Sequence, residues 1–180
     1  MLPKAEMEAQ IQTVAAALPP GGGVLAIIET ALGLKNVDAV AAARGVTRIA
    51  FGTLDFGVDL NLSGDDRGLI YPSAQIALAS RCAGIGSPVA GVTPTIGDEG
   101  RLLADLAFAR AFGYGAKLCI HPKQVAAIRQ ALIPTAAEIH WARRVIAAVE
   151  ASEGAAQVDG KMVDRPVLLK AQSILALVAA

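Results

Sequence analysis

Two carboxylates stand one structural repeat apart in this 180-residue chain. Glu29 ends the apolar run VLAIIE (24–29), and Asp55 follows the apolar residues of IAFGTLDFGVDL (49–60). In parallel α/β folds, ligands bind beyond the carboxyl ends of the strands. A separation of 26 residues is that of one βα unit, so both acids are expected at the same end of neighbouring strands. Carboxylates so placed repel each other and raise one pKa unless a cation lies between them. Mg²⁺ suits such a pair, because one or two carboxylates hold it while water and substrate fill its other positions. A second reading stays open here, in which each acid caps the following helix or pairs with a Lys or Arg.

The other reactive side chains offer less. His121 closes the run AKLCIH before Pro122 and reads as a hydrogen-bonded structural residue rather than a ligand; His140 falls in mid-helix and has no role. Cys82 and Cys119 lie 37 positions apart with no CxxC spacing, and both read as reduced core residues. No serine or cysteine has a nucleophile context such as GxSxG. No GxGxxG follows a strand, and Gly21-Gly22-Gly23 precedes a strand rather than a helix, so it is no phosphate loop.

Lys+Arg and Asp+Glu balance at 16 each, which leaves no basic footprint for nucleic acid and no polybasic patch for a membrane. No apolar run reaches the roughly 18 residues of a membrane helix. MLPKAEMEAQ, with Lys4, Glu6 and Glu8, is not a signal peptide, so a cytoplasmic location is expected. At 54% hydrophobic and 18% charged, the composition suits a layered α/β protein.

Short β-like runs and longer helical ones alternate along the chain. Strands are expected at 24–29, 48–52, 88–92 and 116–121, and Leu2-Pro3-Lys4 reads as the stub of an earlier one. Helices are expected at 5–18, 35–44, 73–83, 98–112, 123–132, 135–153 and 166–178, with 57–70 as loop. Gly45 is a C-terminal stop, Asp98 an N-cap, and Thr135 with Glu138 a capping box. Serial βα units imply parallel strands with helices outside. The pattern alone allows an open doubly wound sheet or part of a (β/α)₈ barrel.

Four segments together, AIIETALGLKNVDAVAAA, IAFGTLDFGVDL, GYGAKLCIHPKQV and VDGKMVDRPVLLKAQ, resemble the citrate lyase beta-subunit and malyl-CoA lyase group of the HpcH/HpaI aldolase superfamily. The similarity runs from about Leu2 to Ala176. It implies an α/β fold that is a partial (β/α)₈ TIM barrel, about strands 4–8, over residues 1–133, with a C-terminal helical extension over 134–180. It implies Mg²⁺ held by Glu29 and Asp55, with Asp59 supporting rather than ligating. The implied reaction is retro-aldol cleavage of a hydroxyacyl-CoA to an acyl-CoA thioester and a 2-oxo acid, or the reverse condensation. Asp164, in GKMVD, is the implied catalytic base, supplied by a neighbouring subunit; its other reading is an N-cap for the last helix.

The first three barrel strands, with the Arg that grips substrate carboxylate and the residues that contact CoA, have no counterpart here. A longer protein, a partner chain completing the barrel, or a homo-oligomer are the expected remedies. The rival expectation is a truncated non-catalytic homologue. A class II aldolase acting without CoA is disfavoured by the resemblance of VDGKMVDRP to the CoA-ester branch.

Overall fold

A computed structural model describes residues 1–152 and 156–179. The chain divides into two compact units, Met1–Ile128 and Arg129–Ala180.

In the first unit, four parallel strands lie side by side in chain order: β1 (Val24–Ile28), β2 (Val46–Phe51), β3 (Val89–Ala90) and β4 (Ala116–Lys117). β1 and β2 carry most of the ladder, with Ala26 opposite Ile49 and Ile28 opposite Phe51. Helices α1 (Glu8–Ala16), α2 (Ala31–Lys35), α3 (Val37–Ala42), α4 (Thr53–Asp59), α5 (Ile70–Cys82), α6 (Glu99–Ala111) and α7 (Pro122–Leu132) connect or follow these strands.

Side chains alternate across a strand, and both faces of this sheet are apolar, as in sheets covered on both sides. One face sends Val24, Ala26, Ile28, Ile49, Phe51 and Ala90 into the main core with the helices. The other carries a smaller cluster of Ile27, Ala50 and Val89, flanked by Leu25, Ala116 and Leu118.

The largest departures from the expected boundaries fall in three places; smaller ones include α1, shorter than 5–18, and the segment expected as loop at 57–70, which holds a 3₁₀ turn at Asp66–Leu69 and the start of α5. The helix expected at 35–44 is two short ones, α2 and α3, meeting at Asn36; Gly45 follows with φ +97°. The third and fourth strands shrink to two residues each, although the Leu118 N–H still donates to the Ala90 carbonyl at 2.9 Å. Asp55 is not at a strand tip, and residues 53–59 are neither strand nor loop. β2 stops at Phe51, and α4 begins at Thr53. The cause is Phe56, buried in the core and edge-on to Phe51 with centroids 5.2 Å apart at 75°. A five-residue advance brings the two rings together once the chain turns into a helix after Gly52.

In the second unit, α8 (Ala136–Glu150) opens with the expected capping box. The Glu138 N–H donates to Thr135 Oγ1 at 3.2 Å, and the Thr135 N–H donates to Glu138 Oε2 at 2.7 Å. Residue 153, the end of the expected helix, lies outside the described residues. The sequence reading has no strand after residue 121. The structure has an antiparallel hairpin, β5 (Ala156–Val158) with β6 (Lys161–Val163). Its turn residues Asp159 and Gly160 have φ +52° and +73°, the geometry that favours Asp-Gly in a two-residue hairpin turn. α9 (Arg165–Ala179) completes the unit. Ala142, Val145, Val158 and Ala171 form its core.

Candidate functional site

Glu29 follows β1 directly and is only 8% exposed. It lies on the face of the smaller cluster, where the Cα of Gly52 comes close. A Cβ on Gly52 would lie 2.6 Å from both the Cβ and Oε2 of Glu29, and 3.2 Å from Ile27 Cγ2. The opposite oxygen, Oε1, accepts the Lys4 backbone N–H at 2.8 Å. Among the described residues Oε2 accepts no hydrogen bond from the protein, and no Lys or Arg nitrogen forms an ion pair with this carboxylate. A buried carboxylate without a cation is costly, and a cation at Oε2 would offset that cost.

Gly52→Ala is therefore expected to destabilise the fold by about 1–3 kcal/mol through overpacking, measured by urea denaturation. An unchanged midpoint would show that Glu29 and Ile27 yield without strain.

Asp55 lies exposed in the first turn of α4. One helical turn later, Asp59 Oδ2 accepts the backbone N–H of Ala31, the first residue of α2, at 2.7 Å. Residues four apart share a helix face, so the face of α4 bearing Asp55 is the one turned to the carboxyl end of β1. Glu29 and Asp55 thus occupy the same end of two paired strands. Asp59 is engaged as a cap for α2, which accounts for it structurally. Among the described residues no cluster of three or more His, Cys, Asp or Glu groups is set to hold a metal. Two carboxylates with open positions fit Mg²⁺, which takes few protein ligands, better than a fully protein-caged ion.

Asp164, the other expected site residue, and His121, expected as structural, both have local partners. Asp164 Oδ1 accepts the Val167 N–H at 3.1 Å, an N-cap of α9, and its side chain is exposed in the second unit. His121 Nδ1 accepts the Lys123 N–H at 3.1 Å. That bond leaves the neutral ring with its proton on Nε2.

A cavity of about 700 Å³ opens on another side of α4. Leu54 and Val58 line it, with Phe51, Tyr114, Arg101 and Lys117; Glu29 and Asp55 do not. The charges here are internally compensated. Arg101 bridges Asp66 at 3.0 Å and Asp105 at 2.7 Å, and Thr93 Oγ1 donates to Asp105 at 2.5 Å. Lys117 Nζ donates to the Gly91 carbonyl at 2.7 Å. The single Lys in AKLCIH carries no sequence signal that distinguishes it from a surface lysine; only its burial does. Burial also pushes the Tyr114 hydroxyl well above the ordinary phenol range.

Burial holds the Lys117 ammonium below the ordinary lysine range, against the opposing pull of Asp105. Over the interval between the folded and ordinary values, the unfolded chain binds more protons. Stability gains from this group as pH rises through that interval. Replacing Lys117 with Met should remove this alkaline gain from a stability–pH curve, and an unaltered curve would contradict the depressed pKa.

Comparison with known proteins gives a consistent result. A model of the HpcH/HpaI aldolase/citrate lyase family matches residues 1–122. The citrate lyase subunit beta-like protein of Deinococcus radiodurans is 35% identical over 184 residues, covering 97% of this chain and 64% of that protein. The (3S)-malyl-CoA thioesterase of Cereibacter sphaeroides is 34% identical over 182 residues, covering 98% of this chain and 63% of its own length. The chain thus spans a little under two thirds of both relatives. The crystal structure of CitE from Mycobacterium tuberculosis, in complex with magnesium, acetoacetate and coenzyme A, superposes with a TM-score of 0.84 at 30% identity. It covers 98% of this chain and 67% of that one.

Proposed function

The chain belongs to the HpcH/HpaI aldolase/citrate lyase family, and from that premise we propose that it carries the metal half of a Mg²⁺-dependent carbon–carbon lyase. The substrate class is a hydroxyacyl-CoA, cleaved by a retro-aldol step to an acyl-CoA and a 2-oxo acid, or formed in the reverse direction. The observation that carries this reading is the Glu29 carboxylate, buried without a cation at the same strand end as Asp55. The magnesium in the M. tuberculosis CitE complex supports it.

Glu29 and Asp55 would hold the ion. When bound, Mg²⁺ supplies Lewis-acid polarisation of the oxygen beside the 2-oxo acid carboxylate. Glu29 contributes a carboxylate positioned before binding, with Oε1 tied to the Lys4 backbone N–H and Oε2, beside Gly52, accepting no hydrogen bond among the described residues. Asp55 contributes a second charge from a helix anchored by Phe56. The thioester α-carbon needs a group that removes its proton for condensation and returns it in cleavage. Asp164 fills that role when supplied from a neighbouring copy. As an N-cap it uses one oxygen on Val167, and a carboxylate has further acceptor sites for a proton.

The four parallel strands run in sequential order with no reversal, as in an arc of a (β/α)₈ barrel rather than a doubly wound sheet. We read Met1–Ile128 as that arc and Arg129–Ala180 as the helical extension. The remaining strands, the CoA contacts and a cation for the substrate carboxylate come from the rest of a longer protein or from another chain. Cleavage of malyl-CoA or citryl-CoA with Mg²⁺, read as release of the 2-oxo acid, tests the reaction. Turnover when the purified chain is joined with a segment completing the barrel is the expected result. No turnover from a complete, Mg²⁺-loaded assembly would overturn the lyase assignment.

A further inference from the structure

We propose that Lys4 is a positioning residue for Glu29, acting through its main-chain N–H at a one-residue irregularity in the edge of the sheet. This rests on the reading of Glu29 as a metal ligand. Leu2 pairs in parallel with Ala26. The Leu2 N–H donates to the Leu25 carbonyl and the Ile27 N–H to the Leu2 carbonyl, both at 2.8 Å. Continued regularly, the parallel ladder would send the Lys4 N–H to the Ile27 carbonyl, two residues on. Instead the Ala5 N–H takes that carbonyl at 3.0 Å. One extra residue is thereby accommodated, as in a β-bulge, a device that re-aims groups near functional sites. The Lys4 N–H, freed from the ladder, donates to Glu29 Oε1.

The backbone carries the mark of this arrangement. Lys4 has φ +46°, a left-handed conformation that is unfavourable for a residue with a Cβ. Among the described residues, the other non-glycine residues with positive φ are Asn61 and Asp159, types that tolerate the region. Lys4 has no such tolerance. It is held from both sides, by the Leu2 pairing and by Ala5, which is fully buried. Strain of this kind persists where the surroundings over-determine it, and it concentrates at functional sites. Its product here is a carboxylate with one oxygen held by Lys4 and its other oxygen packed at Gly52, so the group is oriented before any cation arrives.

Two measurements test this. Hydrogen exchange at the Lys4 amide reads the bond without metal. In Glu29→Ala it should accelerate at least about tenfold while the Ala5 amide, bonded to Ile27, keeps its protection; equal protection in wild type and variant overturns the proposal. Mn²⁺ binding, followed by electron paramagnetic resonance, reads the consequence. Lys4→Gly keeps the N–H and relieves the left-handed backbone. It should hold Mn²⁺ within about twofold of wild type and raise Tm by about 2 °C or more, since about 1 kcal/mol moves Tm by 2–4 °C in a chain of this size. An amide-to-ester replacement at the Lys4 nitrogen, made by chemical ligation, removes the donor while leaving φ free to stay positive, and should weaken Mn²⁺ at least about tenfold. Tenfold weakening in Lys4→Gly would assign the role to the ammonium and overturn the proposal, as would undiminished binding in a folded chain carrying the ester. Wild type that binds no Mn²⁺ at all defeats the metal reading itself, and the positioning role with it.

Discussion

Asp55→Ala is expected to abolish the thermal stabilisation that Mg²⁺ gives the wild-type chain. A ligand that binds only the folded state stabilises it by about 2.7 kcal/mol at one hundred times its Kd. For a chain of this length that is a rise in Tm of roughly 5–11 °C. Glu29 alone leaves a single carboxylate for the ion, and the shift should collapse. The apo protein should barely change, because the Asp55 side chain is exposed and makes no hydrogen bond among the described residues; the loss of an acid from the first turn of α4 costs at most about 1 kcal/mol. Asp59→Ala is the informative contrast. It breaks the cap on Ala31 and should lower apo stability by about 1 kcal/mol, yet keep the Mg²⁺ shift. If Asp55→Ala retains the full shift, Asp55 is not a ligand.

Phe56→Ala should have the largest effect on the fold itself. Phe56 is 1% exposed and meets Phe51 edge-on. Truncating a buried phenylalanine costs about 3–5 kcal/mol, or roughly 6–20 °C in Tm here. The change also removes the anchor that sets α4 on the end of β2, so Mg²⁺ affinity should fall together with stability. Val58, two positions on, is 82% exposed, and Val58→Ala should stay within about 0.5 kcal/mol of wild type. Equal effects from the two substitutions would mean that α4 is not held by its inward face. A Phe56→Ala chain with normal Mg²⁺ affinity would separate the position of Asp55 from the packing of its helix.

These two residues also show how far the sequence carries. Asp55 is legible as a candidate because acids at the ends of successive apolar runs recur at one βα interval. Its secondary structure is not legible. TLDFGVD contains two acids, a glycine and apolar residues that suit a turn equally well, and the ring of Phe51 decides in favour of helix. Gly52 shows the same limit. Its sequence context suggests a turn; the contact that forbids a side chain there comes from Glu29, 23 residues away. The hairpin at 156–163 has a plain local signal in Asp159-Gly160, but strands of three residues are too short to show an alternation.

Read from the sequence were features that depend on neighbours along the chain: the βα alternation, the caps at Asp98 and Thr135, and the spacing of Glu29 and Asp55; the stop expected at Gly45 comes earlier, with Ala43 capping α3. Local propensity and the burial of one face per element leave a periodic record that needs no partner to be read. The packing of distant segments sets the rest: which face of α4 looks toward β1, that Asp59 accepts from Ala31, that Lys117 is half-buried beside Gly91, and that the Lys4 N–H leaves the ladder for Glu29. Those are matters of register between segments distant in sequence. Periodicity records that a residue is covered; it carries no information about what covers it.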